Sequence, residues 1–306
     1  MIAGIKVGPL TWKHILHDYR PGICEVWFRV DWLDHYSDLF AFLRREGIPA
    51  GLHFWGILAD GIAPNFAHPD KEVRKSSLEL VKRSIDAAVQ NGFLYVNIHP
   101  GSYRLSRVNL DRLFFRPIPG REVSEATGSM VLHENIKELD AYAQNLGVLL
   151  LTETLPAKEP MHWRNLIKGR LKTQDLCNVP VSQLIALAQQ GFFICNDLCH
   201  TAMDVVSDDR DFLFRQLLEK TKLLSKQTRL IHTNTMPPPF NGTDGHLGIR
   251  KQDFTEQVFP SREQMKQLLS LFVDRDDVWV IPEPYSDHVN NTTALKDILE
   301  EIGHTG

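Results

Sequence analysis

Eight short apolar runs recur along the chain, at Ala3–Gly8, Cys24–Val30, Pro49–His53, Phe93–His99, Val148–Glu153, Phe192–Asp197, Arg229–Thr233 and Asp277–Glu283. Most are near-continuous rather than alternating, as expected of parallel strands buried on both faces. Between them lie longer segments with apolar residues three and four apart. Tyr36–Glu46 places Leu39, Phe40, Phe42 and Leu43 on one side. Lys71–Gln90, opening after Pro69-Asp70, carries Leu78, Leu80, Val81, Ile85, Ala88 and Val89. Glu134–Asn145, Val181–Gln190, Asp211–Leu224, Ser261–Phe272 and Thr292–Ile302 follow the same spacing, and Thr11–Tyr19 is the least periodic crossover. Eight β/α alternations without a break predict a single α/β domain over residues 1–306, a (β/α)8 TIM barrel, with an open doubly wound sheet as the alternative. No linker, low-complexity tract or short repeat divides the chain.

Two connections are long, Gly101–Ser129 and Pro156–Val179, and loops of that length in a compact domain are usually functional. Gly101–Arg121 holds Arg104, Arg107, Arg112, Arg116 and Arg121 against the single acid Asp111. Pro156–Gln174 holds Lys158, Arg164, Lys168, Arg170 and Lys172 against Glu159. The whole chain is acidic, at −4 over 306 residues, which excludes a global nucleic-acid footprint but leaves a local one open. The two loops are either solvated or form a cationic rim that draws in a phosphate-bearing substrate. On the second reading Arg104, Arg107, Arg164 and Lys168 contact phosphate. Four cysteines are too few for a disulfide framework. The N-terminus has no signal-peptide pattern, and no apolar run reaches the ~18–20 residues of a membrane span. The expectation is a cytoplasmic protein without a membrane partner.

Function in a parallel barrel sits at the C-terminal ends of the strands. The third run ends in His53, the fourth in His99, the fifth in Glu153 and the sixth in Asp197, with His200 three residues on. The seventh ends at His232-Thr233-Asn234 and is followed by Asp244-Gly245-His246; the eighth ends in Glu283. Six consecutive strands thus bring a carboxylate or an imidazole to one face. That mixture suits zinc, manganese or iron, and nine such groups exceed what one ion needs. His53, followed by Phe54-Trp55, also fits a packed core histidine, while His35 and His133 read as surface residues. Cys195 and Cys199 read as buried thiols, since no second pair stands at zinc-finger spacing. No Gly-rich phosphate loop or nucleophile elbow is present.

The ordered set resembles the xylose isomerase-like TIM-barrel superfamily, and within it the endonuclease IV family of apurinic/apyrimidinic endonucleases. The likeness is carried by His99-Pro100-Gly101-Ser102, Thr152-Glu153-Thr154, Asp197-Leu198-Cys199-His200, His232-Thr233-Asn234, Asp244-Gly245-His246 and Glu283-Pro284, over roughly residues 50–303. The segment Asn65-Phe66-Ala67-His68-Pro69-Asp70 is also similar to the superfamily's approach to its third crossover helix. The resemblance implies three metal sites, most simply zinc, with manganese or iron as alternatives. His53 and His99 would hold the first ion, with Glu153 bridging to the second. Asp197, His232 and Glu283 would complete the second; His200, Asp244 and His246 would hold the third. The first 50 residues, Leu155-Pro156-Ala157 and Thr235 depart from the endonuclease pattern, as do the two basic loops.

Two functions follow. The first is a metal-dependent phosphodiesterase in which a metal-activated water attacks the phosphodiester, abasic-site DNA being one candidate substrate. Glu153, Glu283 and His200 are then the catalytic candidates. Asn234 and Trp55 are candidate substrate contacts, and Phe54 and Phe240 are further stacking candidates. The second is a sugar or sugar-phosphate isomerase or epimerase. It would use one divalent metal on Glu153, Asp197, His232 and Glu283, with the two glutamates doubling as acid and base. The stiff Pro237–Pro239 segment precedes Asp244 in either case. A non-catalytic binding module on the same scaffold is disfavoured by the density of ligand-type residues.

Overall fold

The structure is a computed structural model that describes residues 1–111, 114–161 and 173–304. Eight parallel strands close into a barrel: β1 (Ile2–Val7), β2 (Ile23–Arg29), β3 (Ala50–Trp55), β4 (Tyr95–Ile98), β7 (Leu149–Glu153), β10 (Ile194–Asp197), β11 (Thr228–Thr233) and β12 (Trp279–Pro282), which pairs back onto β1. Each lies within two residues of an apolar run in the sequence. The fold is therefore the expected TIM barrel and not the open sheet.

Helices α2 (Ser37–Arg45), α3 (Lys71–Asn91), α5 (Val181–Gln189), α7 (Arg210–Leu224) and α8 (Arg262–Ser270) sit where their periodicity put them, and α9 (His288–Glu301) begins one turn before the expected Thr292. Three expectations are corrected. The first crossover keeps only one short helix, α1 (Trp12–Ile15). Helix α4 runs over Glu125–Asn145, starting well before Glu134. Its first turns are polar and show no apolar stripe. The Ser124 side chain caps them by accepting from the Thr127 amide, and Gly128 lets them lie against Tyr103, whose ring any Cβ would meet. Helix α6 (Leu198–Met203) has no counterpart among the expected helices, and Asp197 caps it.

The first long connection is not an open loop. It folds as an antiparallel hairpin, β5 (Arg104–Asn109) with β6 (Phe114–Glu122). In the second connection, β8 (Glu159–Pro160) pairs with β9 (Thr173–Gln174). Arg112, Arg164, Lys168, Arg170 and Lys172 lie outside the described residues.

Strand residues alternate between two cores. Ile5, Val7, Cys24, Val26, Leu52, Phe54, Val96 and Leu150 pack outward under the helices. Ile23, Tyr95, Leu151, Cys195, Leu230, Trp279 and Ile281 fill the barrel interior, with Tyr95 and Trp279 stacked at 4.9 Å between ring centroids. Gly51 faces Tyr95 so closely that a Cβ would collide with the ring. This plug closes the lower barrel, so the next inward layer up is the floor of any site. No helix among the described residues is long and apolar enough to cross a membrane.

Candidate metal centre

The inward layer above the plug is polar. Moving two residues along each strand from the plug reaches Glu25 from Ile23, Asn97 from Tyr95, Glu153 from Leu151, Asp197 from Cys195, His232 from Leu230 and Glu283 from Ile281. Lys6 and His53 complete the ring from β1 and β3. Glu25, Asn97, Glu153, Asp197 and His232 are fully buried.

The nine ligand-type residues singled out from the sequence converge. His53, His99 and Glu153 form one group. Glu153, Asp197, His232 and Glu283 form a second. His200, Asp244 and His246 form a third. Within each group the ligand atoms lie within 4.8 Å of one another. Glu153 links the first two: Oε2 is 3.3 Å from His53 Nε2, and Oε1 is 3.3 Å from His232 Nδ1 and 3.5 Å from His200 Nδ1. Asn97 Nδ2 donates to Oε2 at 2.5 Å.

Supporting hydrogen bonds aim these ligands. His200 Nδ1 donates to the Thr154 carbonyl at 2.8 Å, which turns Nε2 toward Asp244 Oδ2 at 3.2 Å. His246 Nδ1 is held at 2.9 Å from the Glu283 carbonyl, so its Nε2 also contacts Asp244. Anchoring one ring nitrogen on a backbone carbonyl and presenting the other is the usual way a protein orients an imidazole ligand. The Asn234 side chain lies beside the same ring, its amide nitrogen 3.1 Å from His246 Nδ1. Asp197 divides its work: Oδ1 caps α6 by accepting from the His200 amide at 2.8 Å, while buried Oδ2 accepts no hydrogen bond. A buried carboxylate oxygen facing two imidazoles without a donor is a position that a cation satisfies.

The electrostatics agree with that reading. Burial opposes ionisation of Glu153, but the imidazoles of His232, His53 and His99 outweigh it and hold the carboxyl well below its ordinary value. Burial, then the Lys6 ammonium, pushes His53 down to about 3, leaving a neutral ring. Burial also works against protonation of His232 and His200. The Glu25 and Glu153 carboxylates nevertheless raise His232 to about 9, and Asp197 and Asp244 hold His200 well above its ordinary value. Without a metal the centre thus draws protons onto two of its imidazoles, which are the sites a divalent ion would take over.

A cavity of about 550 Å³ opens onto this floor. Its walls include Trp27, Trp55, Phe115, Leu155 and Tyr285, and the hairpin and β8 supply part of them. Glu159 stands in the wall, where burial pushes it up to about 7.

The residues expected to contact substrate are divided by the structure. Trp55 lines the cavity, 4.8 Å from the His99 ring. Arg104 lines an adjoining recess while pairing with Glu122 at 3.1 Å and donating to the Asp175 carbonyl. Arg107 is exposed and donates to the Asp60 carbonyl, away from the metal ligands. Phe54 is buried under the helices and Phe240 packs on Phe259, so both are core residues. Cys195 and Cys199 are buried free thiols, although Cys195 Sγ lies 3.6 Å from His232 Nδ1. The sequence reading missed Lys6, Glu25, Asn97 and Glu159. Lys6 is the lone charge of its apolar run and Glu25 shares its run only with Arg29, and that was the available signal.

A family model of xylose isomerase-like TIM barrels matches residues 17–304. The chain belongs to that family. Among solved structures, a D-tagatose 3-epimerase-like protein superposes with a TM-score of 0.66 at 15% identity, covering 99% of this chain and 98% of the other. Endonuclease IV from Thermus thermophilus gives 0.56 at 16% identity, over 98% and 100%. D-psicose 3-epimerase from Clostridium cellulolyticum gives 0.57 at 11%, over 99% and 96%. No curated protein matches the sequence. At these identities the neighbours establish the shared barrel, and they include both functions raised from the sequence.

Proposed function

We propose that this chain is a metal-dependent phosphodiesterase working with two or three divalent ions, most simply zinc. The observation that carries the reading is the convergence of three ligand groups, two of them joined through Glu153. A single-metal isomerase has no use for His99, Asp244 and His246 held in this way. Divalent ions in these groups would supply Lewis acidity toward a phosphoryl oxygen and acidify a water. The chain's own residues do the rest. Glu153 holds two ligand groups in register, Glu283 and His200 line the cavity, and Trp55 offers a flat wall to the substrate.

A second reading, an epimerase acting on a small sugar, draws support from the cavity walls. They are aromatic and aliphatic, and Arg107 of the hairpin faces away from them. Among the described residues Lys6 is the one lysine or arginine that lines the cavity, and a phosphate-rich strand would be expected to meet more cations than that.

The deciding experiment counts metal by mass spectrometry on untagged protein prepared without chelator, then assays bis(p-nitrophenyl) phosphate, abasic-site duplex and a ketose panel. The phosphodiesterase reading expects two or three ions per chain and turnover of the diester. A single ion with ketose turnover would replace it by the epimerase. Glu153→Gln should lose at least one ion and lower diester turnover on the order of a hundredfold or more, the loss typical of disrupting an electrostatic catalytic element. Full metal content with full activity in that variant would refute the assignment of Glu153.

A further inference from the structure

Two barrel strands, β1 and β2, contribute nothing to the three ligand groups described above. Their inward residues at the level of the centre are Lys6 and Glu25, which are direct partners in the β1–β2 register. Glu25 is fully buried, and the Lys6 side chain is 13% exposed, toward the cavity it helps to line. Among the described residues, Glu25, His53, His232 and Glu283 make a further four-membered group whose ligand atoms lie within 4.8 Å of one another. By donor type this is a complete zinc set of two imidazoles and two carboxylates.

Lys6 Nζ stands in the middle of that set. It is 2.5 Å from His53 Nδ1, 3.3 Å from Glu25 Oε2, and in contact with Glu283 Oε1. The fourth member is tied to the same carboxylate, with His232 Nε2 2.8 Å from Glu25 Oε2. An ammonium and a divalent ion cannot share one small, buried position. Their repulsion in a low-dielectric interior is large, and both need the same lone pairs. The arrangement also reaches the neighbouring group: while Lys6 Nζ donates to His53 Nδ1, the proton of the neutral ring lies on Nε2, which faces Glu153 Oε2 at 3.3 Å.

We propose that Lys6 is a resident cation that occupies the Glu25–His53–His232–Glu283 group, keeps a metal out of it, and so confines bound metal to the rest of the centre. Lys6 is on this view a positioning residue that sets the number and place of the ions. Glu25 is its counter-charge and not a metal ligand. The inference builds on the proposed metal centre, but it can fail separately.

The test is metal stoichiometry of the full chain after chelator treatment and reloading with zinc alone, with anomalous diffraction to place each ion. Lys6→Met should take up one more ion per chain than wild type, located against Glu25. Lys6→Arg, which keeps a cation there, should return the count to the wild-type value. Glu25→Gln on its own should leave the count unchanged. A folded Lys6→Met with the wild-type count, or a wild-type ion already bound to Glu25, would overturn the inference. If Lys6→Met does not fold, Glu25→Gln decides: loss of an ion makes Glu25 a ligand and sinks the idea, and an unchanged count supports it. Wild type that binds no zinc would instead remove the metal-centre reading, while a Lys6→Met that gains an ion would still support the role of Lys6.

Discussion

At the residue scale, the buried carboxylates Glu25, Glu153 and Asp244 have imidazole or ammonium partners. Burying a carboxylate costs several kcal/mol unless it is paired, and Glu25, Glu153 and Asp244 are each held ionised by neighbouring imidazoles or by Lys6. Tyr36 illustrates the same arithmetic away from the site. Its hydroxyl donates to the Trp27 carbonyl at 3.0 Å and accepts from the Arg29 amide, under the end of β2. Burial raises it to about 12 from an ordinary value of 10.0. The folded chain therefore prefers the neutral phenol. That stabilisation is complete below pH 10 and is lost as the pH rises through about 12. Alkaline unfolding followed by circular dichroism should be less steep between those values in Tyr36→Phe. An identical profile would assign the alkaline limit to other groups.

At the element scale, strand parity places the chemistry. Residues two apart share a face, so the plug residues Ile23, Tyr95, Leu151, Leu230 and Ile281 and the polar layer above them are successive inward positions of the same strands. The plug is close-packed, and Gly51→Ala forces a methyl into the Tyr95 ring. Overpacking of this kind costs about 1–3 kcal/mol. A urea midpoint lowered accordingly is the expected result, and an unchanged midpoint would mean the ring yields freely. Helix α8 opens with a reciprocal capping box between Ser261 and Gln264. Ser261→Ala should cost about 1 kcal/mol in the same measurement.

At the scale of the whole molecule, stability and site are linked. Ions that bind only the folded barrel stabilise it by mass action, about 2.7 kcal/mol per site at a hundredfold excess over Kd. Chelation should therefore lower Tm, and re-addition of zinc should restore it in a concentration-dependent manner. Equal melting with and without chelator would argue that no ion is bound. The hairpin β5–β6 adds a second consequence at this scale. It brings Val108 and Phe115 to the cavity, while Arg104 pairs with Glu122 and Arg121 pairs with Asp70. Among the described residues of the hairpin, those that line the cavity are apolar, and Arg104 and Arg121 are engaged in ion pairs elsewhere.

The linear order of residues determined the barrel. Eight β/α alternations and near-continuous apolar runs are local signals, set by side-chain burial on both faces of a parallel sheet, and they needed no contact information. It also marked nine ligand-type residues, because strand ends in a barrel share one face whatever lies between them. What only the tertiary structure decided depends on residues distant in sequence. Lys6 and Glu25 face His53, His232 and Glu283 because the barrel closes, and closure is not written in any window of the chain. The hairpin pairs across a turn with a shifted register, so its alternation did not stand out. The start of α4 rests on a cap and on one glycine lying against Tyr103. In each case long-range packing outweighed local propensity, which is a weak prior wherever the apolar stripe is absent.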